Sequence, residues 1–440
     1  MDPSNEQLLA RIKELEQENE QLKAQATLQS KSTSSFPKID DNFSLDEYKR
    51  YGRQMIVPDF GSLPSQIKLK NSSILVVGAG GLGCPALLYL SAAGIGKIGI
   101  IDDDLVDTSN LHRQVLHTTE TVGIHKCESA RRYINKLNPH VVVETYQFRL
   151  QNDNAFDIVS KYDLVLDCTD TPATRYLIND VSVLCGKTIV SGSGLKTEGQ
   201  LSILNFNNKG PCYRCFYPKP PSPESVTSCS DGGVIGPVIG LLGITMAVET
   251  IKILTGYYTD ETFKPFLSMY SAYPQQQLRV FKMRNRKPDC AVCGNLPQIL
   301  KETILENQID YAAFCGTVNS NVLNPDERID VKKYSELLNK NNSQVLLDVR
   351  PKEQFGITKL ANSINIQWDP IFKKAESIDE YLPQNFDKSK DSVYVVCRYG
   401  NDSQLATRKM IDELGFKNVK DLIGGLNKWS EVVDSTVPQY

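Results

Sequence analysis

Ser73-Ile-Leu-Val-Val-Gly78-Ala-Gly80-Gly-Leu-Gly83-Cys-Pro85 decides how the first half of the chain folds. Ile74 to Val77 is a short continuous apolar run and reads as a buried strand. The glycines then turn the chain, and Pro85 to Ala93 reads as a helix stopped by Gly94. A strand, a glycine-rich turn and a helix N-terminus make an anion site, because backbone N–H groups and the helix dipole face the same point. Asp102 lies 24 residues beyond Gly78, at the end of the next strand-like run, Ile98–Ile101. A carboxylate there reaches ribose hydroxyls.

The same alternation continues outward. Val141–Thr145, Leu164–Leu166 and Thr188–Val190 read as strands, with helical patterns near 126–137 and 172–185. Strands alternating with helices predict a doubly wound, mainly parallel sheet. Gln200–Asn205, Phe266–Ser271 and Leu278–Met283 lack intervening helices and are open to antiparallel pairing. A second alternating unit has strands at Val345–Leu347, Ser363–Ile366, Val393–Val396 and Val419–Leu422. The reading divides the chain into a helix at 1–28, a Ser-rich linker at 29–43, an α/β domain at 44–295, a linker at 296–327 and a small α/β domain at 328–440. In the first helix Leu8, Ile12, Leu15 and Leu22 share a heptad seam with Asn19 at a core position, the pattern of a short dimeric coiled coil.

Composition narrows the function. Lys+Arg total 49 and Asp+Glu 52 in 440 residues, a net charge of −3, so direct nucleic-acid binding is not expected. The start is acidic and polar rather than a secretory leader, and the most apolar stretch, Val234–Val248, is shorter than the roughly 20 residues of a membrane span. No membrane association and a cytoplasmic location are expected. Eleven cysteines are too sparse for a disulfide scaffold and read first as metal ligands or nucleophiles.

The glycine loop does not by itself choose a nucleotide. Asp102-Asp-Asp104, Ser109-Asn-Leu-His-Arg113-Gln114, Lys126 and Asp167-Cys-Thr-Asp170 follow it. Arg113 and Lys126 supply positive charge for a polyphosphate. Asp170 is placed to hold Mg²⁺, which binds through one or two carboxylates plus phosphate oxygens. An NAD site needs none of these, so the set favours ATP. Cys212-Tyr-Arg-Cys215 and Cys290-Ala-Val-Cys293 have the spacing of a structural tetrathiolate Zn²⁺ site, one per chain. Cys229 sits apart, in a Pro, Ser and Gly-rich stretch at 220–233. Cys397 follows the strand Val393–Val396 and precedes a helix at Gln404–Leu414. A cup of backbone amides, a helix N-terminus and Arg398 are expected to stabilise its thiolate. Ser403 stands where a C-x₅-R phosphatase has its arginine, so a persulfide carrier fits better.

Together GAGGLGCP (78–85), IDDDLVDTSNLHRQ (101–114), GIHKCESAR (123–131), LDCTD (166–170) and the two cysteine pairs resemble the MoeB/ThiF family from about Tyr48 to Gly294. Leu347-Asp348-Val-Arg350, the Cys397 loop and Gly424-Gly-Leu-Asn-Lys-Trp429 resemble rhodanese motifs. The domain order is similar to that of eukaryotic bifunctional proteins joining a carrier-activating domain to a rhodanese domain. The resemblance implies a Rossmann-like ATP-binding domain with a zinc-stapled region. It places Gly81 in the nucleotide loop, Asp102 on ribose, and Ser109, Asn110, Leu111, His112 and Arg113 along the ATP site. It puts Lys126 on phosphate, Asp170 on Mg²⁺ with Thr171 beside it, and Arg53 across a homodimer interface. It implies a ubiquitin-like sulfur carrier ending in Gly-Gly as substrate, adenylated by ATP. Cys229 would form a thioester or acyl-disulfide with that carrier, or only resolve the persulfide. Cys397, loaded by a persulfide donor such as a cysteine desulfurase, would deliver the sulfur. The resembling proteins serve tRNA wobble-uridine thiolation or molybdenum-cofactor synthesis. The rival readings are an activating enzyme for protein conjugation through a Cys229 thioester, a nucleotide-sensing scaffold, and an NAD-dependent oxidoreductase.

Overall fold

The computed structural model describes residues 10–21, 43–221, 232–316, 320–338, 344–368 and 378–440. Helix α1 (10–21) is exposed along its described length, with Ile12 and Leu15 about half exposed. Leu8 and Leu22 of the heptad seam, and nearly all of the 29–43 linker, lie outside the described residues.

The first domain opens with α2 (Leu45–Met55) and α3 (Ser62–Lys70). Ser44 and Glu47 form a reciprocal capping box that fixes where α2 begins. The doubly wound unit then runs β1 (Ser73–Val77), α4 (Gly83–Ala93), β2 (Lys97–Ile101), α5 (Lys126–Leu137), β3 (Val142–Tyr146), α6 (Ala155–Val159), β4 (Leu164–Asp167), α7 (Pro172–Leu184) and β5 (Thr188–Leu195). β6 (Glu198–Leu204), the short α8 (Tyr213–Phe216), α9 (Gly236–Thr255), β7 (Phe266–Ser271) and β8 (Gln277–Lys282) complete the sheet and its cover. Strand order is β3-β2-β1-β4-β5-β6-β7-β8. Pairing is parallel as far as β5 and antiparallel from β5 to β8. Reversal of the connections around β1 opens a crevice at the strand C-termini, where ligands bind in such sheets.

From Gly236 on, the apolar stretch at Val234–Val248 lies in α9, which packs on α4, β5 and β6. Its length and hydropathy would let it cross a membrane, but half of it is buried in this domain. Gly243 lets it approach α4: a side chain there would meet the Leu82 carbonyl at 2.3 Å. Two apolar cores lie on the two faces of the sheet, one under α4 and α9, the other under α6, α7 and the cysteine pairs.

The expected linker at 296–327 is corrected by the structure. Helices α10 (Lys301–Leu305) and α11 (Tyr311–Cys315) dock on the first domain, burying Ile304, Tyr311 and Cys315 in its second core. Tyr311 donates to Asp180 at 2.9 Å. At the other end of the segment, β9 (Arg328–Ile329) already belongs to the second sheet.

That second domain continues with α12 (Val331–Leu338), β10 (Val345–Asp348), α13 (Lys352–Ile357), β11 (Ser363–Asn365), β12 (Val393–Val396), α14 (Asp402–Asp412), β13 (Val419–Leu422) and α15 (Gly425–Val432). Its five strands are all parallel, in the order β11-β10-β12-β13-β9. β10 and β12 are buried throughout, as the continuous apolar runs VLL and VYVV require.

Candidate active sites

A cavity of about 690 Å³ opens at the C-terminal ends of β1, β2 and β4. Gly80, Gly81 and Leu82 form its floor. Gly83 closes the turn against β1: a Cβ there would meet the Gly78 carbonyl at 1.9 Å, so only glycine fits. Asp102, Arg113, Lys126, Asp170 and Thr171 line the same cavity. The structure therefore gathers these five sequence-predicted residues around the glycine turn, from the β2–α5 connection and the start of α5 on one side and the β4–α7 connection on the other.

The charges are arranged rather than scattered. Asp102 accepts from the amides of Ala79 at 2.7 Å and Asp104 at 2.9 Å, and burial pushes its carboxyl above the usual carboxylate range. Lys126, at the first turn of α5, is 4% exposed and pairs with Asp104 at 2.7 Å. Arg113 is held by the Asn110 side chain at 2.6 Å. Asp170 is exposed at the start of α7 and free to face solvent-borne ligands. One exposed carboxylate suits Mg²⁺, which keeps most of its waters and takes phosphate oxygens as further ligands.

Not every predicted residue is on the wall of this cavity. Ser109, Asn110, Leu111 and His112 do not line the cavity; within that run only Arg113 does. Asn110 acts on it through its bond to Arg113, and Ser109 is turned to Asp107 at 2.5 Å. Arg53 is exposed on α2 and does not line its own chain's cavity, as a residue expected to act across a dimer interface need not. Cys229 lies outside the described residues. Sequence reading missed Arg175, a buried residue of α7 lining the cavity, which donates to the carbonyls of Thr169 and Gly192, each at 2.6 Å. It also missed Phe148 and Arg149, which follow β3 at the cavity edge. The rule that ligands collect beyond strand C-termini would have found the last two.

Cys212, Cys215, Cys290 and Cys293 converge into one buried cluster, all sulfurs within 4.8 Å of one another. The closest approaches are 3.9, 3.6 and 3.4 Å. Four thiolates placed tetrahedrally at about 2.3 Å from a Zn²⁺ lie about 3.8 Å apart, so the spacing fits that ion. Hydrogen bonds with Cys212 are the largest cause lowering both the Cys215 thiol, to about 7, and that of Cys290. Cys212 is raised in exchange, first by its bond with Cys215. Cys293 is raised as well, so two of the thiols shed their protons more readily than a free cysteine and two less readily; binding a metal ion would require all four as thiolates. Around the cluster, the Lys287 amide donates to the Cys215 sulfur at 3.4 Å. Arg214, inside the first pair, makes a fully buried ion pair with Asp180 at 2.7 Å and lies between the rings of Tyr176 and Phe314.

The Cys397 loop connects β12 to α14. The sulfur accepts from the Gly400 amide at 3.1 Å and lies 3.4 Å from the Ser403 hydroxyl. Gly425 is essential to the loop: a Cβ there would meet the Cys397 carbonyl at 2.4 Å. The amides of Leu426 and Asn427, opening α15, donate to the carbonyls of Cys397 and Arg398, each at 3.0 Å. The expected thiolate stabilisation is corrected here. Burial pushes the Cys397 thiol above its ordinary value, outweighing its hydrogen bonds. The Arg398 guanidinium lies over the rings of Tyr440, at 4.3 Å, and Tyr399, at 4.8 Å. Beneath the loop, Arg350 and Asp348 form a buried bidentate pair.

Comparison with known proteins bears on both sites. Residues 51–292 match the ThiF family, and residues 330–432 match the rhodanese-like domain. The chain is 72% identical over 436 residues to the adenylyltransferase and sulfurtransferase UBA4 of Scheffersomyces stipitis, covering 99% of this chain and 98% of that protein. It is 52% identical to the protein of that name from Saccharomyces cerevisiae, covering 99% of each. Among solved structures, Escherichia coli MccB is 24% identical, with a TM-score of 0.49 over 57% of this chain and 74% of that one. On the strength of these full-length matches, the chain belongs to the ThiF family, in the form that carries a C-terminal rhodanese-like domain, and it is an adenylyltransferase and sulfurtransferase.

Proposed function

We propose that the chain activates a ubiquitin-like sulfur carrier ending in Gly-Gly and converts that end to a thiocarboxylate. The supporting observation is the cavity where Asp102, Arg113, Lys126 and Asp170 surround the glycine turn, on the same chain as a glycine-clamped cysteine loop. In this reading Asp102 orients the ribose, while the Gly80 and Gly81 amides, Arg113 and Lys126 hold the phosphates. A carrier carboxylate oxygen attacks the α-phosphorus, the bond to the β-phosphate oxygen breaks, and pyrophosphate leaves. Arg113 and Lys126 stabilise the charge that builds on the phosphates. Magnesium, held by Asp170, would offset part of that charge when bound. Zinc in the four-cysteine cluster would be structural, since all four positions are taken by protein sulfur.

Sulfur then comes from the second domain. A persulfide donor such as a cysteine desulfurase transfers a sulfur atom to Cys397. The terminal sulfur attacks the acyl-adenylate carbonyl, and AMP leaves. A second thiol, Cys229 in our reading, attacks the Cys397 sulfur. This releases the carrier thiocarboxylate and leaves a Cys229–Cys397 disulfide, which an external dithiol reduces. The acyl phosphate supplies the leaving group that a free carboxylate lacks.

A homodimer fits the apolar residues that α9 and its surroundings leave exposed, Leu241, Val248 and Tyr89 among them, and would let Arg53 of one copy reach the other's cavity. We place the enzyme in the cytoplasm, serving tRNA wobble-uridine thiolation or molybdenum-cofactor synthesis. The deciding experiment is intact-mass analysis of a Gly-Gly-ended carrier after incubation with the enzyme, Mg-ATP and a persulfide donor. A mass gain corresponding to sulfur replacing oxygen supports the reading. An adenylated carrier without sulfur shifts it to conjugation, and an unchanged carrier refutes it.

A further inference from the structure

His117 is 5% exposed and does not line the nucleotide cavity, yet it holds the loop that does. Its Nε2 lies 3.0 Å from the Ala79 carbonyl and its Nδ1 lies 2.9 Å from the Ser129 hydroxyl. A carbonyl oxygen only accepts, so Nε2 must carry the hydrogen. In the neutral ring Nδ1 then accepts from the hydroxyl of Ser129, a residue of α5, so the Ala79 carbonyl sets the tautomer and Ser129 follows it. Burial holds the His117 pKa below its ordinary value, and the nearby Lys126 charge acts in the same direction. The ring is therefore neutral at physiological pH.

Ala79 is gripped from both sides. Its amide donates to Asp102 at 2.7 Å, and its carbonyl accepts from His117. The Cys84 thiol reaches the same carbonyl at 3.3 Å. Beyond Ala79, the amides of Gly80 and Gly81 line the cavity and have no protein acceptor among the described residues. A glycine turn has many accessible backbone conformations. Anion binding by such a turn needs its amides aimed at one point before the ligand arrives.

We propose that His117, as the Nε2–H tautomer that the Ala79 carbonyl requires, is a positioning residue for nucleotide binding: by fixing the Ala79 carbonyl it aims the Gly80 and Gly81 amides at the phosphates of ATP. This rests on reading the cavity as the ATP site. The role is one of affinity, because the brace acts equally on bound ATP and on the transition state. It should therefore appear in KM for ATP rather than in kcat.

The test is ATP–pyrophosphate exchange by the full-length enzyme with a Gly-Gly-ended carrier. Glutamine places its amide nitrogen near the position of Nε2, whereas asparagine reaches only the position of Nδ1. His117→Ala and His117→Asn should each raise KM for ATP about ten-fold, the effect of one unsatisfied buried hydrogen bond. His117→Gln should recover most of that loss. Equal KM values for the Gln and Asn variants, or a lowered melting temperature with unchanged KM, would overturn the proposal. Should the alanine variant not fold, the comparison of His117→Gln with His117→Asn carries the test alone. The melting transition of the first domain serves as the folding control, because Cys397 lies in the other domain. If the wild-type enzyme shows no exchange, the ATP reading itself falls and takes the proposal with it.

Discussion

Cys397 is the residue whose chemistry is most constrained by its surroundings. Its thiol is raised by burial, and the thiolate is the nucleophile. A raised pKa means the reactive fraction keeps growing as pH rises through neutrality. Alkylation of Cys397 in the intact protein, followed by mass spectrometry, should therefore accelerate about ten-fold per pH unit between pH 7 and 9. A plateau below pH 8 would show a thiolate already formed. Cys397→Ser should abolish sulfur transfer to the carrier while leaving ATP–pyrophosphate exchange intact; losing both would contradict the division of labour between the domains. Asp170→Ala should cut exchange by about 10²-fold or more, the scale of losing one electrostatic contact to the reacting phosphates. Wild-type exchange in that variant would remove Asp170 from the site.

At the scale of elements, two buried charge pairs hold loops in place. Arg350 and Asp348 lock the turn after β10, and Arg350 also donates to the Thr358 carbonyl at 2.7 Å and to the Tyr440 hydroxyl at 2.7 Å. Asp348→Ala leaves the guanidinium buried without its carboxylate, and urea denaturation of the second domain should show a loss of about 3–5 kcal/mol. How far the fold was legible also shows here. The β1–loop–α4 unit announces itself because an apolar run, a glycine turn and a helix stop are all local signals. Helix α5 at Lys126–Leu137 matches the predicted 126–137 span, its apolar residues spaced to bury one face. Helices α10 and α11 were not legible, because five residues show no period, and their docking depends on Tyr311 meeting Asp180 across 131 residues. The cavity was legible as a list of residues but not as a shape. Ser109 to His112 sit in a motif beside it, while the buried Arg175 carries no local signal. The Cys397 electrostatics were misread because a cup of amides is visible in a sequence and the desolvation that opposes it is not.

For the whole molecule, the consequence of joining two chemistries is a matter of effective concentration. In the proposed reaction, carrying Cys397 on the same chain as the nucleotide cavity holds its sulfur at an effective concentration of roughly millimolar near the acyl-adenylate. Cutting the chain after Gly316 with an engineered protease site should leave exchange and thiosulfate sulfur transfer intact. Thiocarboxylate formation should fall, and should return as the second half is added back towards ~1 mM. Undiminished formation at micromolar concentration would mean the halves associate without the tether. The cysteine cluster adds a constraint of another kind. Cys212 and Cys290 are 78 residues apart. At about 5–20 residues per second, a ribosome takes about 4–16 s to pass from one pair to the other. For that interval the first two thiols wait beside a sheet whose last strands are not yet made. With zinc in the cluster, as we propose, the yield of active enzyme depends on the zinc supply during synthesis as well as afterwards, and cells starved of zinc should accumulate unfinished first domains rather than metal-free but otherwise intact ones.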